Sequence, residues 1–204
     1  MAESPVSSPA RPRDRRATEA AIVAAGERLL LRDGFPGLNV QTLAAEAGCD
    51  RKLVYRYFDG VDGVVARLAA RAAAELVRAL DAAPTEGDTL RAFARASLSA
   101  WLAALRASPL TLRLMAWALV EDTPVLRRIE TERAALLQAW MRERRPRLRV
   151  PPEGDPAAIN AVLMAAVQQL ALSDGGAVGG LALDESGWPR VQTALDRLLA
   201  VYPG

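Results

Sequence analysis

The sequence predicts an all-α protein with about nine helices. Hydrophobic residues make up 51% of the 204 residues and charged residues 25%, a composition that can bury a sizeable core. Aromatic residues account for only 5%, and much of the apolar share is Ala and Leu, which favours helices over sheets. Apolar residues recur at helical spacing along most of the chain, and no two segments show the alternation of a strand pair.

The chain is expected to begin with a disordered basic arm, residues 1–16, followed by a first helix. The arm is rich in Pro and Ser and carries four arginines: Arg11, Arg13, Arg15 and Arg16. Thr18 is a suitable cap for the helix, which Gly34 ends. Gly26 lies in the middle of this helix, where it costs about 1 kcal/mol relative to Ala, so close packing is expected there.

Two short helices follow, separated by a glycine turn. Asn39 caps the second helix and Gly48 ends it, and Asp50 caps a third helix that runs to about Phe58. On a helical wheel the third helix places Val54 and Phe58 on one face, toward the core. Lys52 and Arg56 lie nearly opposite, with tyrosines beside them. This arrangement is typical of a helix-turn-helix that reads a major groove, although a solvated amphipathic helix has the same wheel.

The remaining sequence divides into six further helices, with an internal boundary near 82–87. Proline at the first helical position marks two of their starts, at Pro109 and Pro124. The expected ranges are 62–81, 88–107, 109–122, 124–145, 156–173 and 188–202. Gly175 to Gly180 is glycine-rich but lacks the Lys-Ser/Thr of a phosphate-binding loop, so we expect a mobile connection there.

The composition argues against an enzyme, a metal site and a bound cofactor. The chain has no histidine, which excludes a Ser-His-Asp triad and histidine-ligated zinc, and its carboxylates show no metal-binding or acid/base spacing. Cys49 is the only cysteine, either an oxidant sensor or a small buried apolar residue, of which the second is favoured. We expect a cytoplasmic protein without a membrane span, because no apolar run approaches about 18 residues.

The N-terminal pattern resembles the tetracycline-repressor (TetR) family of bacterial transcription regulators over roughly residues 17–70. The residues that carry the resemblance are Ile22, Ala25, Leu29, Gly34, Phe35, Val40, Leu43, Ala44, Glu46, Ala47, Gly48 and the run from Val54 to Phe58. Three positions depart from the family's usual pattern: Val61 replaces a frequent lysine, Leu53 a small or hydroxylated residue, and Tyr57 a frequent histidine.

The resemblance implies a DNA-binding domain at residues 17–62 that contacts a pseudo-palindromic double-stranded operator. The residues expected to make the contacts are Asn39, Gln41, Thr42, Arg51, Lys52, Tyr55, Arg56 and Tyr57. The arm either enters a minor groove or touches phosphates, or it is a tail that only raises non-specific affinity.

Residues 63–204 would then form a domain for dimerisation and effector binding. A homodimer interface is expected on the last two helices, at Ile159, Leu163, Val167, Leu170, Val191, Leu195 and Leu198, although the same stripes can be ordinary intrachain core. A pocket for an apolar or aromatic small molecule is expected among Trp101, Leu105, Met115, Trp117, Leu119, Trp140, Met141, Met164, Gln168 and Leu172.

The sequence thus predicts a homodimeric transcription regulator, expected to be a repressor that a small effector releases from its operator. The alternative is a helical small-molecule-binding or scaffold protein without specific DNA binding, supported by Val61 and by a net charge of only +2.

Overall fold

The computed structural model describes residues 12–82, 89–144 and 156–200. Within these ranges the chain forms nine α-helices, one short 3-10 helix and one two-stranded hairpin. The chain divides into two compact units, Met1–Leu68 and Ala69–Gly204. The predicted all-α fold with an N-terminal helix-turn-helix is confirmed. Within the described ranges, no helix combines the length and apolar character needed to cross a membrane.

The helices of the first unit are α1, α2, α3 and the beginning of α4. Their bounds are Pro12–Asp33 for α1, Val40–Ala47 for α2, Arg51–Phe58 for α3 and Val61–Ala82 for α4, with a 3-10 turn at Phe35–Gly37.

The second unit contains the rest of α4, five more helices and the hairpin. The bounds are Leu90–Arg106 for α5, Pro109–Ala118 for α6, Pro124–Arg144 for α7, Pro156–Leu172 for α8 and Gly187–Leu199 for α9; strands β1 and β2 span Ala177–Val178 and Leu181–Ala182. Three predictions lie outside the described ranges: the arm over residues 1–11, the boundary after Ala82, and the end of the last helix beyond residue 200.

The core of the first unit forms where α1 packs on α2 and on the first turns of α4. Ile22, Leu43 and Val64 are fully buried in it. A Cβ added at Gly26 would lie 2.8 Å from Val64 Cγ1, so this glycine allows the close approach of α1 and α4. The expectation of close packing at Gly26 is confirmed.

Helix α1 begins earlier than the sequence analysis expected. It starts at Pro12 and runs through Thr18, so Thr18 does not cap it and residues 12–16 are helical rather than part of a disordered arm. An ion pair between Arg15 Nε and Glu19 Oε1, 2.7 Å apart and one turn from each other, stabilises this extra stretch.

The core of the second unit surrounds α5, which contacts α6, α8 and α9. Phe93 of α5 stacks on Trp140 of α7 with ring centroids 5.5 Å apart. Trp101 and Leu105 are buried in the same cluster, and Val191 and Leu195 of α9 join it.

Strands Ala177–Val178 and Leu181–Ala182 form a hairpin, which corrects the expectation that the chain has no strand pair. Val178 pairs with Leu181 across an antiparallel register, and Gly179 and Gly180 take φ of 58° and 80° between them. Two consecutive positive φ angles form the tight turn that matches strand twist. The turn glycines stabilise this hairpin, and strands of two residues are too short to show alternation.

Candidate nucleic-acid interface and candidate effector pocket

Helix α2 begins with a reciprocal cap made by two of the predicted contact residues. Asn39 Oδ1 accepts hydrogen bonds from the backbone N–H groups of Gln41 and Thr42, each at 3.0 Å. Thr42 Oγ1 accepts from the Asn39 N–H at 3.1 Å and donates to the Gly37 carbonyl at 2.7 Å. The polar atoms of Asn39 and Thr42 therefore hold the helix start in place, while Gln41 is exposed beside them.

The turn between α2 and α3 is fixed by two local signals. Gly48 takes a left-handed conformation, with φ of 64°, and stops α2. Asp50 caps α3 by accepting a hydrogen bond from the Lys52 N–H at 2.8 Å. The orientation of α3 relative to α2 thus follows from residues within a short stretch of chain.

Helix α3 buries one side and exposes the other. On the buried side, as predicted, lie Val54, which is fully buried, and Phe58, which is partly buried. The exposed side carries four of the predicted contact residues: Arg51, Lys52, Tyr55 and Arg56. Three cations and a phenol in one row form a surface suited to phosphates and base edges.

Tyr57 is half-buried and lies between two arginines. The guanidinium of Arg15 is 5.3 Å from its ring centroid, and that of Arg56 is 5.9 Å away. Glu19 hydrogen-bonds Arg15 and raises its pKa, so the guanidinium stays charged. Arg15 therefore lies on α1 beside α3, a position the sequence analysis missed because it ended the arm at residue 16. The spacing of Arg15 and Glu19 was the available signal.

Ion pairs at the surface of the first unit connect α1 to α2. Arg28 Nε donates to Glu46 Oε1 at 2.7 Å, and Arg32 Nη1 lies 3.3 Å from Glu46 Oε2. The hydrogen bond from Arg28 is the main cause that lowers the pKa of Glu46, with Arg32 contributing. These contacts resist a rotation of α2, and hence of the turn that carries α3.

A left-handed turn joins α3 to α4. Asp59 and Gly60 take φ of 57° and 102°. A Cβ added at Gly63 would lie 1.7 Å from the carbonyl oxygen of Phe58, so only glycine fits where the end of α3 meets α4. Val61 opens α4 and is half-buried, which leaves no cation at that position.

Cys49 is partly buried in the turn before α3. Burial is the main cause that raises the pKa of its thiol, with the Asp50 carboxylate adding to it. A raised pKa lowers the thiolate fraction and hence the reactivity, which favours a packing role over oxidant sensing. No group of three candidate metal ligands occurs among the residues that the structure describes.

Comparison with known proteins identifies the type of the first unit. Residues 22–68 match the model of bacterial regulatory proteins of the tetR family. The matched stretch runs from the middle of α1 through α2 and α3 to the first turns of α4. This unit is therefore a TetR-type DNA-binding domain of the kind that transcriptional regulators carry.

Solved structures extend the likeness in fold beyond residues 22–68. A TetR-like transcriptional regulator from Rhodococcus sp. RHA1 is 19% identical with a TM-score of 0.63, covering 90% of this chain and 96% of that one. GusR of Salmonella enterica is 18% identical with a TM-score of 0.63, at 90% and 95% coverage. A protein of unknown function from Rhodococcus sp. RHA1 is 24% identical with a TM-score of 0.62, at 97% and 100%. No curated protein matches the sequence.

Most of the predicted effector-binding residues fill the core of the second unit instead of lining a space. Trp101, Leu105, Met115 and Trp140 are buried in the main cluster. Met141, Met164 and Leu172 pack against it, and Trp117 and Gln168 are half-buried. Leu119 is 65% exposed on the surface, so its assignment to an internal pocket is wrong. Large side chains that interdigitate, as Phe93 and Trp140 do, leave little room between them.

One pocket among the described residues lies between α4, α6 and α7 and has a volume of about 110 Å³. Its walls are Ala69, Ala70, Ala72, Ala73 and Leu76 of α4; Thr111, Leu114 and Met115 of α6; and Ile129, Glu130, Glu132, Arg133 and Leu136 of α7. Met115 is the one predicted residue among them. The alanines of α4 create the space, because short side chains do not reach the facing helices.

The predicted dimer residues divide into two groups. Val167, Val191 and Leu195 are buried in the core of their own chain, which favours the intrachain alternative for them. Leu163 and Leu170 are half-buried and pack against that core, which favours the intrachain alternative for them as well.

The exposed side of α8 and α9 carries the remaining apolar residues. Ile159 is 43% exposed and Leu198 is 58% exposed. Val162, which the sequence analysis did not choose, is 68% exposed, and alanines of α8 surround it at Ala158, Ala161, Ala165 and Ala166. These residues form an apolar strip on the outside of α8. Its centre, Val162, lies beside the stripe that was predicted for the interface.

Proposed function

We propose that this protein is a homodimeric repressor whose two α3 helices enter successive major grooves of an operator and whose affinity for DNA falls when a small apolar effector binds. The observation that carries the proposal is the two-sided α3 helix. Val54 anchors one side in the core, and Arg51, Lys52 and Arg56 project from the other. A capped, locally fixed helix presents these groups in a constant orientation.

The contact residues have different tasks in this proposal. Arg51, Lys52, Tyr55 and Arg56 of α3 meet phosphates and base edges directly. Gln41 meets a phosphate at the start of α2, where the helix dipole favours negative charge. Asn39 and Thr42 support that contact through the cap, because their polar atoms already bind each other's backbone.

The homodimer is proposed to form through the exposed apolar strip of α8, with Ile159 and Val162 at its centre and Leu198 of α9 beside it. An exposed strip of this kind is unfavourable in water and is covered best by an identical strip of a second copy. The small alanine side chains around Val162 permit two α8 helices to approach closely. A two-fold dimer requires half-sites about 34–36 Å apart, or a multiple of that distance.

The pocket between α4, α6 and α7 is the proposed effector site. Its walls are mainly apolar, from Ala69 and Leu76 to Met115 and Ile129, and suit an apolar molecule. Release from DNA requires that the effector bind the DNA-free arrangement of the dimer more tightly than the DNA-bound one.

The experiment is a titration of the purified protein with a fluorescent fragment of its own promoter region, followed by anisotropy at several salt concentrations. We expect specific affinity that weakens steeply as salt rises, because lysine and arginine displace condensed counterions. Replacing Lys52 and Arg56 together with Ala should weaken binding by about a hundredfold or more and flatten the salt dependence.

The matched control is Arg78→Ala on α4, an exposed arginine that removes one charge away from α3. It should leave binding unchanged. Equal losses for the control and the α3 variant would show a non-specific charge effect. An unchanged affinity of the double variant would contradict the proposed helix face and favour a ligand-binding or scaffold protein without specific DNA binding.

A further inference from the structure

Lysine occurs once in the chain, on the exposed side of α3. The sequence contains 26 basic residues, of which 25 are arginine and the remaining one is Lys52. Lys52 is the second residue of α3, and its side chain is exposed. The chain therefore presents its single side-chain amine on the surface that the proposed function assigns to DNA.

An amine and a guanidinium carry the same charge but differ in reactivity. The neutral form of an amine attacks an acyl carbon and becomes an uncharged amide, whereas a guanidinium stays protonated and does not react in this way. Acylation thus removes the positive charge of a lysine and leaves that of an arginine. Of the three cations on α3, Lys52 alone can lose its charge by this reaction.

The surroundings of Lys52 favour an acyl donor that is itself an anion. Arg56 follows Lys52 by one helical turn, a spacing that places Cβ atoms about 5–6 Å apart, and Arg51 precedes it. Both arginines are exposed, and neither forms an ion pair with a carboxylate in the part of the chain that the structure describes. Asp50 lies at the same end of α3, where its carboxylate accepts a hydrogen bond from the Lys52 N–H. Two guanidinium groups against one carboxylate leave an excess of positive charge that concentrates anions near the amine.

We propose that Lys52 is an acylation site, to which an acyl phosphate transfers its acyl group and thereby weakens DNA binding. The inference rests on the DNA-binding role proposed above. Lys52 Nζ attacks the carbonyl carbon of the acyl phosphate and forms a C–N amide bond. The C–O bond to the phosphate breaks, its electron pair stays on the phosphate oxygen, and the phosphate carries away the proton that the amine loses. The products are N-acylated Lys52 and inorganic phosphate.

Acylation removes one of the three positive charges on the exposed side of α3. The new amide is uncharged and releases no counterion from DNA. We expect DNA affinity to fall about tenfold and the salt slope to decrease by about one for each acylated subunit. Arg51 and Arg56 keep their charges, so the remaining binding still depends on salt.

The first experiment compares Lys52 with a lysine at another exposed position, in the absence of DNA. Arg78→Lys places a second lysine on α4, beside the Glu75 carboxylate and away from the arginines of α3. The variant is treated with acetyl phosphate, and mass spectrometry of its fragments gives the rate at each position. We expect acetylation at least about threefold faster at position 52 than at position 78, with a ratio that falls as salt screens the attraction. Equal rates at low salt would overturn the assignment of Lys52 as a preferred site.

The second experiment tests the effect of acetylation on DNA binding. The unsubstituted protein is acetylated in part and passed over immobilised promoter DNA, and the bound and unbound fractions are compared. We expect acetylated Lys52 to be depleted at least about fivefold from the bound fraction. Equal proportions in the two fractions would overturn the inference.

The matched control is Lys52→Arg, compared before and after treatment with acetyl phosphate. Its guanidinium does not accept the acyl group, so treatment should leave the variant's own affinity unchanged, whatever that affinity is. A loss of affinity on treatment would place the effect at another group, such as the α-amino group of the chain, and would contradict the role of Lys52.

The same fractionation on unrelated DNA at low salt separates this inference from the repressor proposal, because charge-dependent binding needs no operator. Depletion of acetylated Lys52 from the bound fraction, in a protein that shows no preference for its promoter, would support the inference and contradict the repressor proposal. Specific promoter binding that is equal for acetylated and unmodified chains would have the opposite meaning. A protein that binds neither DNA would contradict both.

Discussion

Helices α3 and α8 each bury one side, but their opposite sides differ in chemistry. The outer side of α3 carries Lys52 and Arg56 above a buried Val54, and the outer side of α8 carries Val162 among alanines above a buried Val167. A charged side is stable in water and is suited to a polyanion that exchanges counterions. An apolar side is stable only when another apolar surface covers it. The two helices therefore indicate two kinds of partner.

The largest effect is expected from a charge placed on the apolar side of α8. Val162→Asp should weaken the homodimer by at least about a hundredfold, because the two-fold axis would bury two unpaired carboxylates. Analytical ultracentrifugation measures the change. DNA affinity should fall with it, since a monomer meets only one half-site.

The matched control is Gln138→Asp, which adds the same charge to an exposed position of α7. It should leave the oligomeric state unchanged. A dimer that keeps its affinity after Val162→Asp would show that α8 does not form the interface. The apolar side of α8 would then not indicate a second copy as its partner.

A large effect on stability is expected where the end of α3 meets α4. Gly63→Ala places a Cβ 1.7 Å from the Phe58 carbonyl oxygen, and the required shift should lower the free energy of unfolding by about 3 kcal/mol. Urea denaturation monitored by circular dichroism measures it.

Gly48→Ala is the informative comparison. It places a Cβ in open space but forces alanine into φ of 64°, so it should cost only about 1 kcal/mol, and Gly48→Asn should recover part of that. A cost at Gly63 no larger than that at Gly48 would show that the contact with the Phe58 carbonyl relaxes easily and does not require glycine.

A smaller effect is expected at the arginine that contacts Tyr57. Arg15→Ala should weaken operator binding by about three- to tenfold and reduce the salt slope by about one, because it removes one phosphate-facing charge next to α3. Glu19→Gln should strengthen binding slightly, since it releases Arg15 from its ion pair. If the alanine variant binds with the parental salt slope, Arg15 lies away from the DNA.

The smallest effect concerns the ion pairs between α1 and α2. Arg28 and Arg32 lower the pKa of Glu46, so its carboxylate stabilises the fold above its ordinary pKa of 4.5, and that contribution is lost as the pH falls through the lowered value. Glu46→Gln should therefore lower Tm slightly at pH 7, and the difference should vanish once the pH is below that lowered value.

Glu185→Gln, at an exposed position before α9, is the control for this change and should show no pH-dependent difference. A Tm difference for Glu46→Gln that persists in acid would mean that packing or the neutral amide, and not the ion pair, causes it.

The site of the first unit could be predicted from sequence because its signals are local. Asn39, Gly48 and Asp50 each set a helix end through atoms a few residues away, and these ends place Val54 inside and Lys52 outside. The start of α1 was missed because Thr18 was taken as a cap. Pro12, which suits a first helical position, was the better signal and would have brought Arg15 to the helix.

The second unit was less predictable because periodicity identifies an apolar stripe without identifying what covers it. Ile159 and Val167 lie on one predicted stripe of α8, yet the first is exposed and the second fully buried. The residues predicted for the effector site illustrate the same limit. Trp101 and Trp140 fill the space around α5, whereas the alanines of α4, which carry no sequence signal for a cavity, leave it open.

The hairpin of β1 and β2 also affects how readily a protease can cut the native chain at this glycine-rich segment. Glycine-rich loop tips are ordinarily cut early, because an enzyme needs a loose, unbonded stretch of backbone. Here the Leu183 amide donates to the Gly176 carbonyl at 2.8 Å, and the Gly175 amide donates to the Leu183 carbonyl at 3.1 Å. Leu183 itself is buried. We expect that hydrolysis next to Gly175, Gly176 or Leu183 requires both hydrogen bonds to break and Leu183 to leave the interior, which should slow digestion there despite the glycine-rich composition.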